Sequence, residues 1–198
     1  MPKLVDHDER RTTIIQTTWE IIASHGMENA TMRDIAAACG YAGPGVIGHY
    51  FPNKDALLLA SYELICQRTN ERIDRAVMQK TGLRALLAMC LEIIPAEELT
   101  RTEARVAVAF WQRAQTDSKL RAVGAATLGQ WRARMLSYLS QAQVAGEAAD
   151  SIRVDQVVDE LLNVMMGLHI TSMLDPQQMS ESGQRRLLRA MIDALQVP

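Results

Sequence analysis

Apolar residues recur along this chain at i, i+3, i+4 and i+7, the spacing of one face of an α-helix, and no strand-like alternation or internal repeat interrupts them. The pattern predicts an all-α fold of about nine helices. The first runs from about Arg10 to His25, the second from Thr31 to Gly40, the third from Pro44 to Tyr50 and the fourth from Lys54 to Lys80. Leu83 to Ile94 form a fifth, which ends before Pro95, and a sixth starts at Thr100 and carries Val106, Phe110 and Trp111. Asp117 opens a seventh that closes near Gly146, and Asp155 to Leu174 and Ser180 to Leu195 complete the set.

The ends of the second and third helices are written most plainly. Thr31 with Asp34 three residues on is a capping box, in which the two side chains satisfy two orphan backbone N–H groups, and Thr100 with Glu103 repeats the pattern in the sixth helix. Ile35 and Cys39 lie one turn apart on an inner face, and Ala36 and Ala37 are small enough for another helix to cross close by. Gly40 suits the left-handed residue that ends a helix. Pro44 suits a first turn, where its missing N–H costs nothing, with Gly43 as a permissive cap. Ile47 and Phe51 then point inward. Gly45 and Gly48 each lower helix propensity by about 1 kcal/mol relative to alanine, so tertiary contacts must hold this helix.

Two short helices around a tight turn make a helix-turn-helix, whose second helix enters the major groove of DNA. On the side opposite Ile47 and Phe51 lie Gly43, Gly45, Val46 and His49. Val46 suits a thymine methyl, His49 a purine edge or a phosphate, and the glycines a close backbone approach.

The same stretch carries a family signature. The link Gly26-Met27-Glu28-Asn29-Ala30-Thr31, then Ile35-Ala36 and Gly40, then His49-Tyr50-Phe51-Pro52-Asn53-Lys54-Asp55-Ala56-Leu57 resemble the N-terminal domain of the TetR (tetracycline repressor) family. Through Gly48-His49-Tyr50-Phe51 and Ala109-Phe110-Trp111 the chain is most similar to the branch containing the choline-sensing repressor of glycine-betaine synthesis. The resemblance implies phosphate contacts from Thr31, Tyr50 and Lys54, with Arg33 beside them and Pro44 opening the reading helix. Two departures stand out. Tyr41-Ala42-Gly43 puts one residue more than usual between the second and third helices, and Gly48 stands where a tyrosine is common.

Charge tempers the DNA reading. The net formal charge is -2, and residues 1–55 hold five Lys or Arg against seven Asp or Glu, whereas a DNA binder ordinarily presents a basic face. Few phosphate contacts are expected, drawn from Arg10, Arg11, Arg33 and Lys54 and doubled by dimerisation, with weak nonspecific binding as the consequence. No apolar run is expected to reach the ~20 residues of a membrane span and no signal region opens the chain, which points to a cytoplasmic protein without membrane contact. Cys39, Cys66 and Cys90 lack metal-type spacing and read as reduced, buried thiols. No cofactor, metal site or catalytic constellation is expected.

Residues 1–55 are thus read as a DNA-binding domain and 56–198 as a ligand-binding and dimerisation domain. In the latter, Met89, Cys90, Phe110, Trp111, Trp131, Tyr138, Met165, Met166 and His169 are the candidate lining of an effector pocket, a mostly apolar set with a few polar groups. Such stripes equally serve as packed core. The family resemblance further implies that the last two helices pair with those of a second subunit, through Leu161, Val164, Leu168, Leu187, Leu188, Met191 and Leu195. The expected function is a homodimeric repressor released from a palindromic double-stranded DNA operator by a small-molecule effector. The alternative is a helical small-molecule-binding protein or enzyme that has lost DNA recognition, suggested by the long turn, the acidic balance and Gly48.

Overall fold

The computed structural model describes residues 2–197. Among them are nine helices and no strand: α1 (Pro2–Asn29), α2 (Met32–Ala38), α3 (Pro44–Gly48), α4 (Lys54–Val77), α5 (Gly82–Ile93), α6 (Glu98–Ala114), α7 (Ser118–Val144), α8 (Val154–Leu174) and α9 (Glu181–Asp193). The all-α expectation holds, with two differences at helix starts. Helix α1 begins at Pro2, well ahead of Arg10, and breaks at Gly26, where φ 78° and ψ 163° leave helical geometry. Helix α6 begins at Glu98, and the Thr100–Glu103 box does not form. Thr100 Oγ1 instead accepts from the Glu97 N–H and donates to the Glu97 carbonyl, both at 3.0 Å, while Glu103 is buried.

The chain divides by packing into two compact units. The first contains the residues up to Ile65 together with Thr102–Leu120, and the second contains Cys66–Arg101 and the residues from Arg121 onward. In the first, Ile14, Ile15, Trp19 and Ile22 of α1 are buried with Ile35 and Ala36 of α2, Ile47 of α3, and Phe51, Leu57 and Leu58 where α4 begins. The second half of α6 belongs to this unit. Phe110 stacks on Tyr62 with ring centroids 3.8 Å apart and planes 1° from parallel, and Trp111 Nε1 donates to Tyr62 Oη at 3.4 Å. Arg113 adds a two-pronged ion pair to Asp55, at 2.9 and 2.8 Å.

The second unit has one core, built from Ile73, Leu86, Met89 and Cys90 with Trp131, Met135 and Leu139 of α7, Leu161, Met165 and Leu168 of α8, and Leu188 of α9. Its first complete helix is capped from far along the chain. The Leu83 N–H donates to Glu147 Oε2 at 2.9 Å, and Gly82, at φ 56°, leaves room for that carboxylate where a Cβ would collide with it. Arg132 of α7 pairs with Asp159 of α8 at 2.6 Å.

This core corrects the expected subunit stripe. Leu161, Leu168 and Leu188 are only 1, 4 and 0 % exposed, because the helical repeat places them on the inward sides of α8 and α9. Leu187 is exposed, and Val164, Met191 and Leu195 are half-buried. Helix α8, 21 residues long, contains an 18-residue window whose mean hydropathy, 1.2, reaches that of a membrane span, contrary to the expectation that no run would. Its apolar inner side is accounted for by the core.

Candidate nucleic-acid interface

The helix-turn-helix forms as its end signals require. Thr31 Oγ1 accepts from the Asp34 N–H at 3.2 Å, and Asp34 Oδ2 accepts from the Thr31 N–H at 3.3 Å. The Thr31 hydroxyl donates to the same carboxylate at 2.5 Å, so its proton is already engaged within the cap. At the other end Gly40, at φ 75°, sends its N–H to the Ala37 carbonyl at 3.0 Å, and Tyr41 sends its own to Ala36 at 2.9 Å. That crossed pair is the Schellman ending, which a left-handed glycine makes accessible. Helix α3 starts on Pro44 and its last turn tightens. Tyr50 and Phe51 both donate to the Ile47 carbonyl at 2.9 Å, just past the capping residue His49.

Ile47 and Phe51 are buried, and Pro44, Gly45, Val46, Gly48 and His49 are exposed. Gly43, Tyr50 and Lys54 are half-buried, and Arg33 is exposed. The exposed side of α3 is therefore nearly bare backbone with Val46 and His49 standing on it. A Cβ added at Gly43, Gly45 or Gly48 would meet nothing within 4 Å. The fold itself does not require these glycines, and Gly45 and Gly48 each cost about 1 kcal/mol of helix stability.

Two of the acidic groups are engaged within the fold. Asp34 is held in the α2 cap, and Asp55 is matched by Arg113, whose guanidinium hydrogen bonds keep that carboxyl below its ordinary range. The Arg11 guanidinium lies 5.0 Å over the Phe51 ring, and the His7 ring is 4.5 Å from that of Tyr50. Neither His7 nor Arg113 was legible as part of this region. The helical pattern is not apolar before Arg10, and no local signal ties residue 113 to residue 55.

The pocket candidates fall in both units. Met89, Cys90, Trp131 and Met165 are in the core of the second unit, with Tyr138 and Met166 packed against it. His169 is buried there too, with Nδ1 2.8 Å from the Met165 carbonyl. Burial pushes the Cys90 thiol up to about 12, so it stays a neutral, packing sulfur. Phe110 and Trp111 belong to the first unit, where they meet Tyr62. Among the described residues no group of three His, Cys, Asp or Glu side chains is placed to hold a metal ion.

Residues 14–61 match the family described as bacterial regulatory proteins, tetR family, and residues 83–197 match the BetI-type transcriptional repressor, C-terminal. The chain belongs to the TetR family. As a member, it is a DNA-binding transcriptional regulator. It is similar over nearly its whole length to the HTH-type transcriptional regulator PksA of Bacillus subtilis, with 29% identity across 98% of this chain and 94% of that protein. The HTH-type transcriptional regulator BetI of Escherichia coli is 31% identical over 114 residues, 56% of this chain and 58% of that protein. The TetR-like fold recurs in a transcriptional regulator from Saccharomonospora viridis solved in complex with choline, at TM-score 0.89, 23% identity, and 96% and 99% coverage of the two chains. Both relatives are named as transcriptional regulators.

Proposed function

We propose that the protein is a homodimeric repressor in which each subunit lays α3, from Pro44 to Tyr50, in the major groove of one operator half-site. The observation that carries this reading is the exposed, glycine-lined side of α3. Three glycines without a steric role inside the chain sit together at α3, two of them within the helix that they weaken, and a duplex brought against bare backbone supplies the missing reason. Val46 and His49 then meet base edges, while Tyr50, Lys54 and Arg33 meet phosphates. Thr31 orders the α2 entry and offers an already hydrogen-bonded hydroxyl to the same backbone.

The second subunit docks on the outward side of α8 and α9. Ile170 and Leu187 are each 41 % exposed and Leu174 is 80 % exposed, with half-buried Val164, Met191 and Leu195 beside them. The effector binds in the second unit, against Trp131, Tyr138, Met166 and their neighbours. The BetI relatives and the choline complex of the Saccharomonospora viridis protein make choline the first compound to test, since aromatic rings attract a quaternary ammonium. An effector releases DNA only through its difference in affinity between two conformations. The second half of α6 is the element through which that difference acts on the reading head, held there by Arg113 on Asp55 and by Phe110 on Tyr62.

A gel-shift titration on duplexes from the region upstream of its own gene tests the proposal. One inverted repeat bound with one subunit per half-site is the expected result. Equal retention of every duplex, whatever its sequence, refutes it.

A further inference from the structure

Helix α1 starts at Pro2, so its opening turns lie ahead of residues 14–61, where the chain matches the tetR family. His7, Arg11 and Ile14 share one side of this helix at i, i+4 and i+7 spacing. Ile14 is fully buried and fixes that side against the core of the first unit. One turn back along the stripe the Arg11 guanidinium covers the Phe51 ring at 5.0 Å, and one turn further the His7 ring meets Tyr50 at 4.5 Å with a 35° tilt. Asp8 and Glu9 fall about 100° and 200° around the helix from His7, away from this contact. Three successive turns of α1 thus run from the core to the end of the recognition helix, and the outermost rests on the aromatic residue that closes it.

We propose that His7 is a positioning residue for DNA binding, packing its imidazole on the Tyr50 ring and holding the phenol hydroxyl toward an operator phosphate. This inference rests on the reading that α3 docks on DNA. A tyrosine that is free to turn must be ordered when the duplex arrives, and a side chain ordered beforehand spares that entropy. Tyr50 is half-buried and stands two residues past the end of its own helix at Gly48. The ring of His7 supports Tyr50 from a different helix. An exposed aromatic contact of this kind contributes little to folding, which makes its effect on binding separable from its effect on stability.

The test uses the full-length protein and the duplex that the wild type enriches from a random-sequence library, with affinities read by fluorescence anisotropy. His7→Ala is expected to weaken binding by about three- to tenfold with an unchanged melting temperature, and His7→Phe, which keeps a ring on Tyr50, to return it to within about twofold of wild type. Because His7 acts through the phenol hydroxyl, its removal in a Tyr50→Phe background is expected to change affinity by less than about 1.5-fold, a strongly non-additive cycle. Additive losses, an unaffected His7→Ala variant, or failure of His7→Phe to rescue would each overturn the proposal. Where the wild type enriches a duplex and His7→Ala binds it equally well, only this inference falls. Where the wild type enriches nothing, the docking reading falls and takes it along.

Discussion

The two compact units end their helices in different ways. In the first, α3 starts without a side-chain cap, but the caps that form come from within a few residues: Thr31 and Asp34 close the start of α2, Gly40 its end, and Asn53 Oδ1 accepts from the Ala56 N–H at 2.8 Å to start α4. In the second, Ser180 caps α9 in the same local way, but α5 and α8 have no local side-chain cap. Helix α5 takes its cap from Glu147, 64 residues on, and the Pro95 carbonyl just after α5 accepts from Gln184 Nε2 at 3.1 Å. A reading head whose ends are locally encoded keeps its shape through short-range bonds. The second unit relies on segments distant in the chain meeting correctly, which is also what lets such a region respond to a ligand.

The largest expected break in this comparison is at glycine. Gly82→Ala should cost about 2–3 kcal/mol, because the substitution both strains a left-handed backbone and displaces the carboxylate that caps α5. Gly40→Ala meets nothing within 4 Å and should cost about 1 kcal/mol from backbone strain alone. Urea unfolding of the two variants measures the difference, and equal losses would mean that the remote cap contributes nothing. Thr31→Ala should follow, at about 1 kcal/mol, together with weaker operator binding as the entry to α2 loosens.

His169 sharpens the comparison through pH. Burial holds its imidazole below the ordinary value of 6.5, so as pH falls through that value the unfolded chain takes the proton first. The stability is fully present above pH 6.5 and is lost toward the lowered folded-state value, with a slope of at most about 1.4 kcal/mol per pH unit for one proton. Melting temperatures between neutral and mildly acidic pH should therefore fall for the wild type, and less steeply for His169→Gln.

The smallest effect on folding is expected at Arg113 and Asp55. The pair is open to solvent, and Arg113→Ala should leave the urea midpoint nearly unchanged. The pair's contribution is present above the ordinary carboxylate value of 3.8 and lost as pH falls through the lowered value of Asp55. Its larger signature should be in regulation, with Arg113→Ala binding operator while losing part of the release by effector. A full response in the variant would remove α6 from the proposed route.

The candidate site was legible where chemistry and spacing are local. Thr31, Asp34, Gly40 and Pro44 have their structural roles written in their own neighbourhoods, and Ile47 and Phe51 declare the inward side of α3 by helical period. The partners of Tyr50 and Asp55 were not legible, since His7 and Arg113 lie 43 and 58 residues away in the chain. The same limit misplaced Leu161, Leu168 and Leu188. A helical stripe shows that a side is apolar, not whether its own chain or another covers it.

Taken alone, the sequence determined the helical class, the helix-turn-helix and the family, because caps, turn glycines and the 3.6-residue period act over a few residues and survive translation into a list of letters. The tertiary structure decided that Thr102–Leu120 packs with the reading head, that Glu147 caps α5 and that His7 rests on Tyr50. Each joins segments whose meeting depends on how the whole chain buries its apolar area, a non-directional force that no short stretch encodes.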